Sequence, residues 1–216
     1  MKNVLIFDLE TNGFLKSSVL QFSGIKYSYK NGKFNKINEQ DFYYLPKEGE
    51  EWNYHAYNVH KIKLNEIKKH TDKRIKETLN LYKKHIEKDI TLIESINNIK
   101  YFNKDKILNK YLEDVDVFVG HNIKSFDMKF MECHLNKQRF HNIFDTMLLT
   151  TNELKLTCKG KSNFKKPKLQ EACEYYKIKY ETYKAHNAKY DVEVNTKLFF
   201  EMIKDQKYLS ELDNEM

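Results

Sequence analysis

Glycine and proline are scarce in this 216-residue chain, at six and two residues. Flexible linkers draw on both, so the composition leaves little material for a string of loosely joined modules. Cysteine is scarce as well. Cys133, Cys158 and Cys173 are odd in number and widely spaced, which excludes a disulfide framework. Cys133-His134 with His141 nearby raises zinc. There is no C-x-x-C pair, however, so the thiols read as isolated and buried. No apolar run approaches the roughly 20 residues that cross a bilayer. The opening Met1-Lys2-Asn3-Val4-Leu5-Ile6-Phe7-Asp8 turns acidic too early for a secretory signal. The expectation is therefore a cytoplasmic protein with reduced thiols and no membrane partner.

Hydrophobic residues make up 40% of the chain and aromatics 14%, enough to build a core and to set intrinsic disorder aside. Thirty-eight basic residues against 31 acidic ones give a net charge of +7. That excess suits a polyanionic partner such as nucleic acid, and it also suits a solvated lysine-rich surface. Charge alone does not choose.

Residues 4–7 form a short apolar run that ends at the polar turn Thr11-Asn12-Gly13, the pattern of a buried central strand. Residues 19–29 are rich in strand formers and stop at Asn31-Gly32, a hairpin signal, with residues 33–45 as the partner strand. Residues 53–112 read mostly as helix: Ile75, Leu79, Tyr82 and Ile86, then Leu92, Ile96 and Ile99, keep helical spacing. Residues 115–119 are a second buried strand, closed by Gly120. A helix starts around Phe126 and Phe130, and Ile143-Phe144 form a last short strand before Asp145. Residues 169–176 and 188–203 are closing helices, and the tail 211–216 reads as frayed. Lysines at 155, 159, 161, 165, 166 and 168 make one low-complexity segment, which either touches a strand backbone or is merely solvated. The expected architecture is a single α/β domain over 1–216 with a mixed five-stranded sheet flanked by helices.

The chemistry sits at the ends of the buried strands. Asp8 and Glu10 are two apart in an extended chain and so share a face. Two carboxylates projecting together from a buried strand end repel one another and lose hydration, and a divalent cation removes both penalties. Oxygen donors of this kind suit Mg²⁺ or Mn²⁺. Asp127 follows the second buried strand, on the first turn of the next helix. Asp191 lies one turn inside a helix opened by Asn187, and His186 sits on the loop just before it.

These residues fall in motifs. Asp8-Leu9-Glu10-Thr11-Asn12-Gly13 is close to D-x-E-T-x-G. His121-Asn122 with Phe126-Asp127 matches H-N-x-x-x-F-D, and His186-x-Ala188-x-x-Asp191 matches H-x-A-x-x-D. Ala56-x-x-Val59-His60-Lys61-Ile62 and Phe144-Asp145-Thr146 are two weaker landmarks in the right order. Each motif alone is common, and their joint order is not. Together they resemble the DEDDh, DnaQ-like 3′→5′ exonucleases of the RNase H-like superfamily, over residues 4 to about 203. The resemblance implies an RNase H-like fold and a metal-dependent exonuclease, with proofreading or DNA repair as its setting. It also implies two divalent cations, Mg²⁺ or Mn²⁺, held by Asp8, Glu10, Asp127 and Asp191, with His186 as general base. The expected partner is nucleic acid with a free 3′ end, and a polymerase or replication protein is the candidate protein partner. Leu9, Thr11 and Asn12 could seat the terminal nucleotide, His60 and Ile62 could pack on its base, and Asn122 could touch a phosphate. The ordinary alternatives are that Ile62 is core and His60 caps a helix.

The chain departs from the family pattern twice. Lys61 replaces the usual glycine after His60. The interval before residue 115 is also long, and 72–105 reads as a helical insertion. The activity expected is release of nucleoside 5′-monophosphates from single-stranded nucleic acid, DNA favoured over RNA, although the sequence places no group that reads the 2′-OH. A catalytically silent nucleic-acid binding module and an oligoribonuclease-like phosphodiesterase acting on short oligonucleotides are the alternatives.

Overall fold

A computed structural model describes residues 1–14, 16–86, 90–135, 142–157 and 163–214. Five strands form one sheet in the order β3-β2-β1-β4-β5. Strand β1, Lys2–Thr11, pairs antiparallel with β2, Val19–Lys30. β2 pairs antiparallel with β3, Lys33–Tyr43. On its other side β1 runs parallel to β4, Val117–Gly120, which runs parallel to β5, Ile143–Asp145. The hairpin falls where the sequence puts it: Asn31 and Gly32 have φ of 52° and 75°, the twin left-handed pair of a two-residue turn whose twist matches the strands.

Alternation along β1 sorts its side chains onto two cores. Leu5, Phe7 and Leu9 join Phe118, Ile123, Met128 and Met131 on one face. Val4 and Ile6 join Ala172, Val192, Leu198, Phe199 and Met202 on the other. The second core lies under helix α8, Ala188–Met202. Asp8 and Glu10 continue the Val4–Ile6 row, so they emerge on the side that α8 covers.

The helical stretch resolves into α1 (Tyr54–His60), α2 (Leu64–Ile86), α3 (Ile90–Asn98) and α4 (Lys106–Leu112). Of the expected inward stripe, Ile96 and Ile99 are buried and Ile75, Leu79, Tyr82 and Leu92 half-buried; Ile67, one turn before the stripe begins, is buried as well. Asp105 ties this region to the sheet. Its carboxylate accepts from the Ile107 and Leu108 N–H groups at the start of α4, from the Tyr44 hydroxyl (2.9 Å), and pairs with Arg74 Nη2 (2.7 Å).

Three expectations need correction. A helix, α6 (Thr146–Leu154), follows β5 directly, where the sequence reading placed none. The tail is not frayed over its described part: α9, Gln206–Asn214, packs Tyr208 and Leu212 into the second core. The thiols are not all buried, since Cys133 is exposed and Cys173 buried. Cys158 and His141 lie outside the described residues, as do Lys159 and Lys161 of the lysine segment. Among the described residues, no helix is long and apolar enough to cross a membrane.

Candidate active site

The site forms where the sheet changes direction. β1 has a parallel neighbour on one side and an antiparallel one on the other, and the loops after β1 and β4 diverge at that point. This crevice beyond the carboxyl ends of parallel strands is where α/β sheets bind ligands. Gly120 closes β4 there. A Cβ on it would lie 2.1 Å from Ile123 Cγ2 and 2.9 Å from the Phe7 carbonyl, so only glycine lets the two strand ends approach this closely.

Four carboxylates converge. Asp8, Glu10 and Asp191 each offer an oxygen atom, and these atoms lie within 4.8 Å of one another. Asp127 is the first residue of α5, Asp127–Met131. Its Oδ1 accepts from the Leu9 N–H (3.1 Å), which fixes it to the strand segment between Asp8 and Glu10. Burial pushes the Asp8 carboxyl well above the usual range, and the charges of Asp127, Glu10 and Asp191 push it further. Glu10 is raised by burial and by Asp191 and Asp127. Burial lifts Asp127 and Asp191 to about 7 each. Asp191 Oδ1 is buried and makes no hydrogen bond. An unsatisfied buried carboxylate oxygen beside two further carboxylates is what a hard cation relieves, so the donor set fits a divalent ion of the Mg²⁺ or Mn²⁺ kind. Among the described residues this is the only cluster of that composition.

His186 stands at the rim. It has a left-handed φ of 62°, and its N–H donates to Asp191 Oδ2 (2.9 Å). Asn187 then caps α8, its side chain accepting from the Tyr190 N–H. His186 is exposed and lines the cavities on both sides of the carboxylates. Burial and the Lys168 charge hold it below the ordinary histidine value, so at neutral pH it is the unprotonated ring.

Two cavities share Asp8, Leu9, Phe126, His186 and Asp191. The first, about 370 Å³, is largely apolar and adds Thr11, Phe14, Ala56, Val59 and His60. The second, about 650 Å³, adds Asn122, Asp127, Met147 and the Lys166–Pro167–Lys168 segment. Leu9, Thr11, His60 and Asn122 therefore each contribute to the lining of these cavities, Leu9 while its side chain also packs in the first core.

Two of the expected substrate residues do not. Ile62 is buried with Leu20, Tyr43 and Ile67, because α1 ends at His60 and the left-handed Lys61 reverses the chain before it. Asn12 is spent on structure. Its Nδ2 donates to Glu50 Oε1 and to the Glu51 carbonyl (both 2.8 Å), and its Oδ1 accepts from the Asn53 N–H (3.0 Å). His60 combines both readings. Its Nδ1 accepts from the Ile62 N–H (3.0 Å) at the helix end, and it lines the apolar cavity. Burial lowers its pKa to about 4.

The sequence reading missed Phe14 and Phe126 as lining residues. Phe14 is 86% exposed next to Gly13, and an aromatic directly after the strand that carries Asp8 and Glu10 was the available signal. Asp145 has a role as well. Its Oδ1 accepts from the Asn122 and Met147 N–H groups and its Oδ2 from the Lys124 N–H, so it caps α6 and pins the loop that carries Asp127.

Comparison with known proteins gives the family and the fold. The exonuclease family model (RNase T) matches residues 73–199, which leaves β1 outside the matched span. No curated protein matches in sequence. Escherichia coli Exonuclease I, solved with a dT13 oligonucleotide, superposes with a TM-score of 0.58 at 15% identity, covering 96% of this chain and 42% of its own. The moderately thermophilic Exonuclease I of Methylocaldum szegediense gives 0.61 at 14%, covering 96% and 41%. Cell-death related nuclease 4 gives 0.56 at 17%, covering 94% and 64%. The chain thus spans about two-fifths of the Exonuclease I chains. At these identities the structural likeness establishes the fold, and the family match extends over more than half of the sequence: the chain belongs to the exonuclease family, as a DnaQ-like DEDDh member with the RNase H-like fold.

Proposed function

We propose that this chain is a 3′→5′ exonuclease that releases nucleoside 5′-monophosphates from the free 3′ end of single-stranded nucleic acid, with DNA favoured over RNA. The convergence of the Asp8, Glu10 and Asp191 oxygens, with Asp127 bonded between them, is the observation that carries the reading. The repulsion built into that cluster has no structural purpose, and a protein that only bound nucleic acid would gain by losing it. Exonuclease I was solved with single-stranded DNA, which supports the strand preference.

Asp8, Glu10 and Asp191 would hold one divalent cation, and Asp8 with Asp127 a second. When bound, such ions screen the phosphate charge, acidify water and stabilise the leaving 3′ oxygen. The side chains around them do the rest. His186 accepts the proton of the attacking water at its unprotonated ring nitrogen. The His186 N–H to Asp191 bond holds that loop against the carboxylates. Leu9, Phe14, Val59, His60 and Phe126 offer an apolar chamber sized for a terminal nucleoside and exclude water around it.

We read 1–216 as one exonuclease domain with 72–105 inserted, because Arg74 within that stretch bonds Asp105 and so stays attached to the sheet through Tyr44. The free Cys133 and Cys173 thiols fit a reducing compartment such as the cytoplasm.

The test is digestion of matched 5′-labelled DNA and RNA, single- and double-stranded, with Mg²⁺ or Mn²⁺. Single-stranded DNA should be shortened fastest. Equal or faster loss of RNA would reverse the stated preference, and no shortening of any strand would refute the activity.

A further inference from the structure

Beside the carboxylates, the larger cavity has one wall of positive charge that the reaction as described does not use. Lys166, Pro167 and Lys168 line it together with Asn122, Asp127 and His186. Both lysines are exposed, and Pro167 between them is buried. The backbone of this segment is anchored at several points. The Lys165 N–H donates to the Leu156 carbonyl (2.6 Å), and the Lys168 N–H donates to Glu171 Oε2 (2.7 Å). His121 supplies the third anchor, from the strand end that leads to Asp127. Its Nε2 lies 3.0 Å from the Pro167 carbonyl, which can only accept, so the ring donates there. On its other side Nδ1 lies 3.1 Å from the buried Thr146 Oγ1, so the ring is held between two fixed oxygens.

The lysines therefore sit on a braced backbone, unlike the ends of a loose loop. Lys165 spends its ammonium on Glu171. Lys166 and Lys168 make no ion pair within 4.0 Å among the described residues, although Lys168 does act on Glu171 at longer range. Lys168 also acts on the His186 ring, which places its charge close to the reaction centre. Two ammonium groups without a close ion pair thus line the cavity that also holds Asp8, Asp127 and Asp191, a placement suited to an anion lying between them and the carboxylates.

We infer that Lys166 and Lys168 form a phosphate-binding arm that holds the backbone of the strand on the 5′ side of the scissile bond. This rests on the exonuclease reading of the site. The apolar cavity then takes the terminal nucleoside, and the basic cavity takes the phosphates that follow it, so the carboxylates lie between the two. Contacts to phosphate position a strand and carry no base information, so the arm is indifferent to sequence.

The test is a binding measurement that does not depend on turnover. Fluorescein-labelled oligothymidylate and oligouridylate are titrated with the full chain in chelator, following anisotropy across a salt series. Replacing both lysines (Lys166→Ala with Lys168→Ala) should weaken binding about tenfold at low salt. It should also flatten the slope of log K against log salt by about 1.4, since each lost contact to a single strand removes about 0.7. A control pair on the exposed face of α2, Lys69→Ala with Lys76→Ala, removes the same charge and should change neither quantity. Thymidine 5′-monophosphate serves as the competitor that lacks further phosphates, and its binding should be far less sensitive to the two lysines. Wild-type binding that is absent at low salt, or a double variant that loses no more than the control pair, overturns the arm. A strand that is bound through these lysines yet never shortened on adding Mg²⁺ would instead overturn the exonuclease reading and leave the arm standing.

Discussion

The backbone N–H of His186 donates to Asp191 Oδ2 at 2.9 Å, and His186 adopts a left-handed φ of 62° where it does so. The bond uses the main chain, so it leaves the imidazole free to reach into the site while tying its loop to a carboxylate of the acidic cluster. The proposed base and the proposed metal ligand are thus separate groups on one short stretch of chain.

That separation predicts how His186→Ala behaves. The backbone bond survives the substitution, so Mn²⁺ binding followed by calorimetry should change little. Turnover should fall by about 10²–10⁴-fold, the range for a positioned base. In wild type the rate should climb with pH and level off once the ring is neutral, with its midpoint below the ordinary histidine value because burial and Lys168 favour the neutral form. The variant should lack that limb. Loss of metal binding with retention of the limb would make His186 a ligand.

Asp8→Asn should move activity and stability in opposite directions. Losing a central ligand should cost about 4 kcal/mol of transition-state stabilisation, near 10³-fold in rate. The metal-free protein should become more stable at pH 8, because one of the charges acting on Glu10, Asp127 and Asp191 is gone. The pH dependence follows from the raised carboxyls. Asp127 and Asp191 titrate at about 7 in the fold and near 4 when unfolded, so the folded state holds the extra protons between those values. The contribution of Asp127 and Asp191 to metal-free stability is therefore full below about pH 4 and is lost as pH rises through about 7, and the raised Asp8 and Glu10 carboxyls act in the same direction. Thermal melts in chelator from pH 5 to 8 check this, and Asp8→Asn should flatten the fall. A melting temperature at pH 8 lower than wild type would contradict it.

Much of this site is legible in the sequence because it depends on local rules. Alternation places Asp8 and Glu10 on one face, and the capping preference of Asn187 fixes where Asp191 and His186 fall relative to α8. What escapes are features set by tertiary contact. Asn12 looks like a free polar residue after the metal strand, yet Glu50, Glu51 and Asn53 arrive from elsewhere to occupy it. Ile62 follows a helix end whose direction the sequence does not specify. α6 is only weakly amphipathic and carries Thr150 and Thr151, poor helix formers. It is held by the Asp145 cap and by hydroxyl bonds from Thr150 and Thr151 to carbonyls one turn back. α9 exists because Leu212 finds the second core, which charge-based reading of the tail could not anticipate.

Lys61 illustrates a backbone demand met by the wrong residue. It caps α1 with φ of 58°, a conformation suited to glycine. Lys61→Gly should stabilise the protein by about 1 kcal/mol, the approximate cost of a left-handed residue with a Cβ. Urea denaturation measures it. A destabilisation would show that the Lys61 side chain, which reaches Asn58 Oδ1 and the Tyr57 ring, matters more than its backbone.

Arg74→Ala tests how α2 is held against the sheet. Arg74 pairs with the fully buried Asp105 and stacks its guanidinium 3.5 Å from the Phe42 ring centroid. Removing it leaves a buried carboxylate without its cation, at a cost of about 3 kcal/mol. Denaturation should show that loss, with activity in the folded fraction retained. A change under 1 kcal/mol, by the same measure of about 3 for a broken buried pair, would mean that Asp105 is solvated in solution.

The most direct test of the central claim follows a 5′-labelled single strand in Mg²⁺ beside a 3′-blocked copy and a circular strand, each repeated in excess chelator. The account predicts a ladder shortening one nucleotide at a time from the free 3′ end, nucleoside 5′-monophosphate as product, resistance of the blocked and circular strands, and no reaction in chelator. Cleavage of the circle, or full activity without metal, would contradict it.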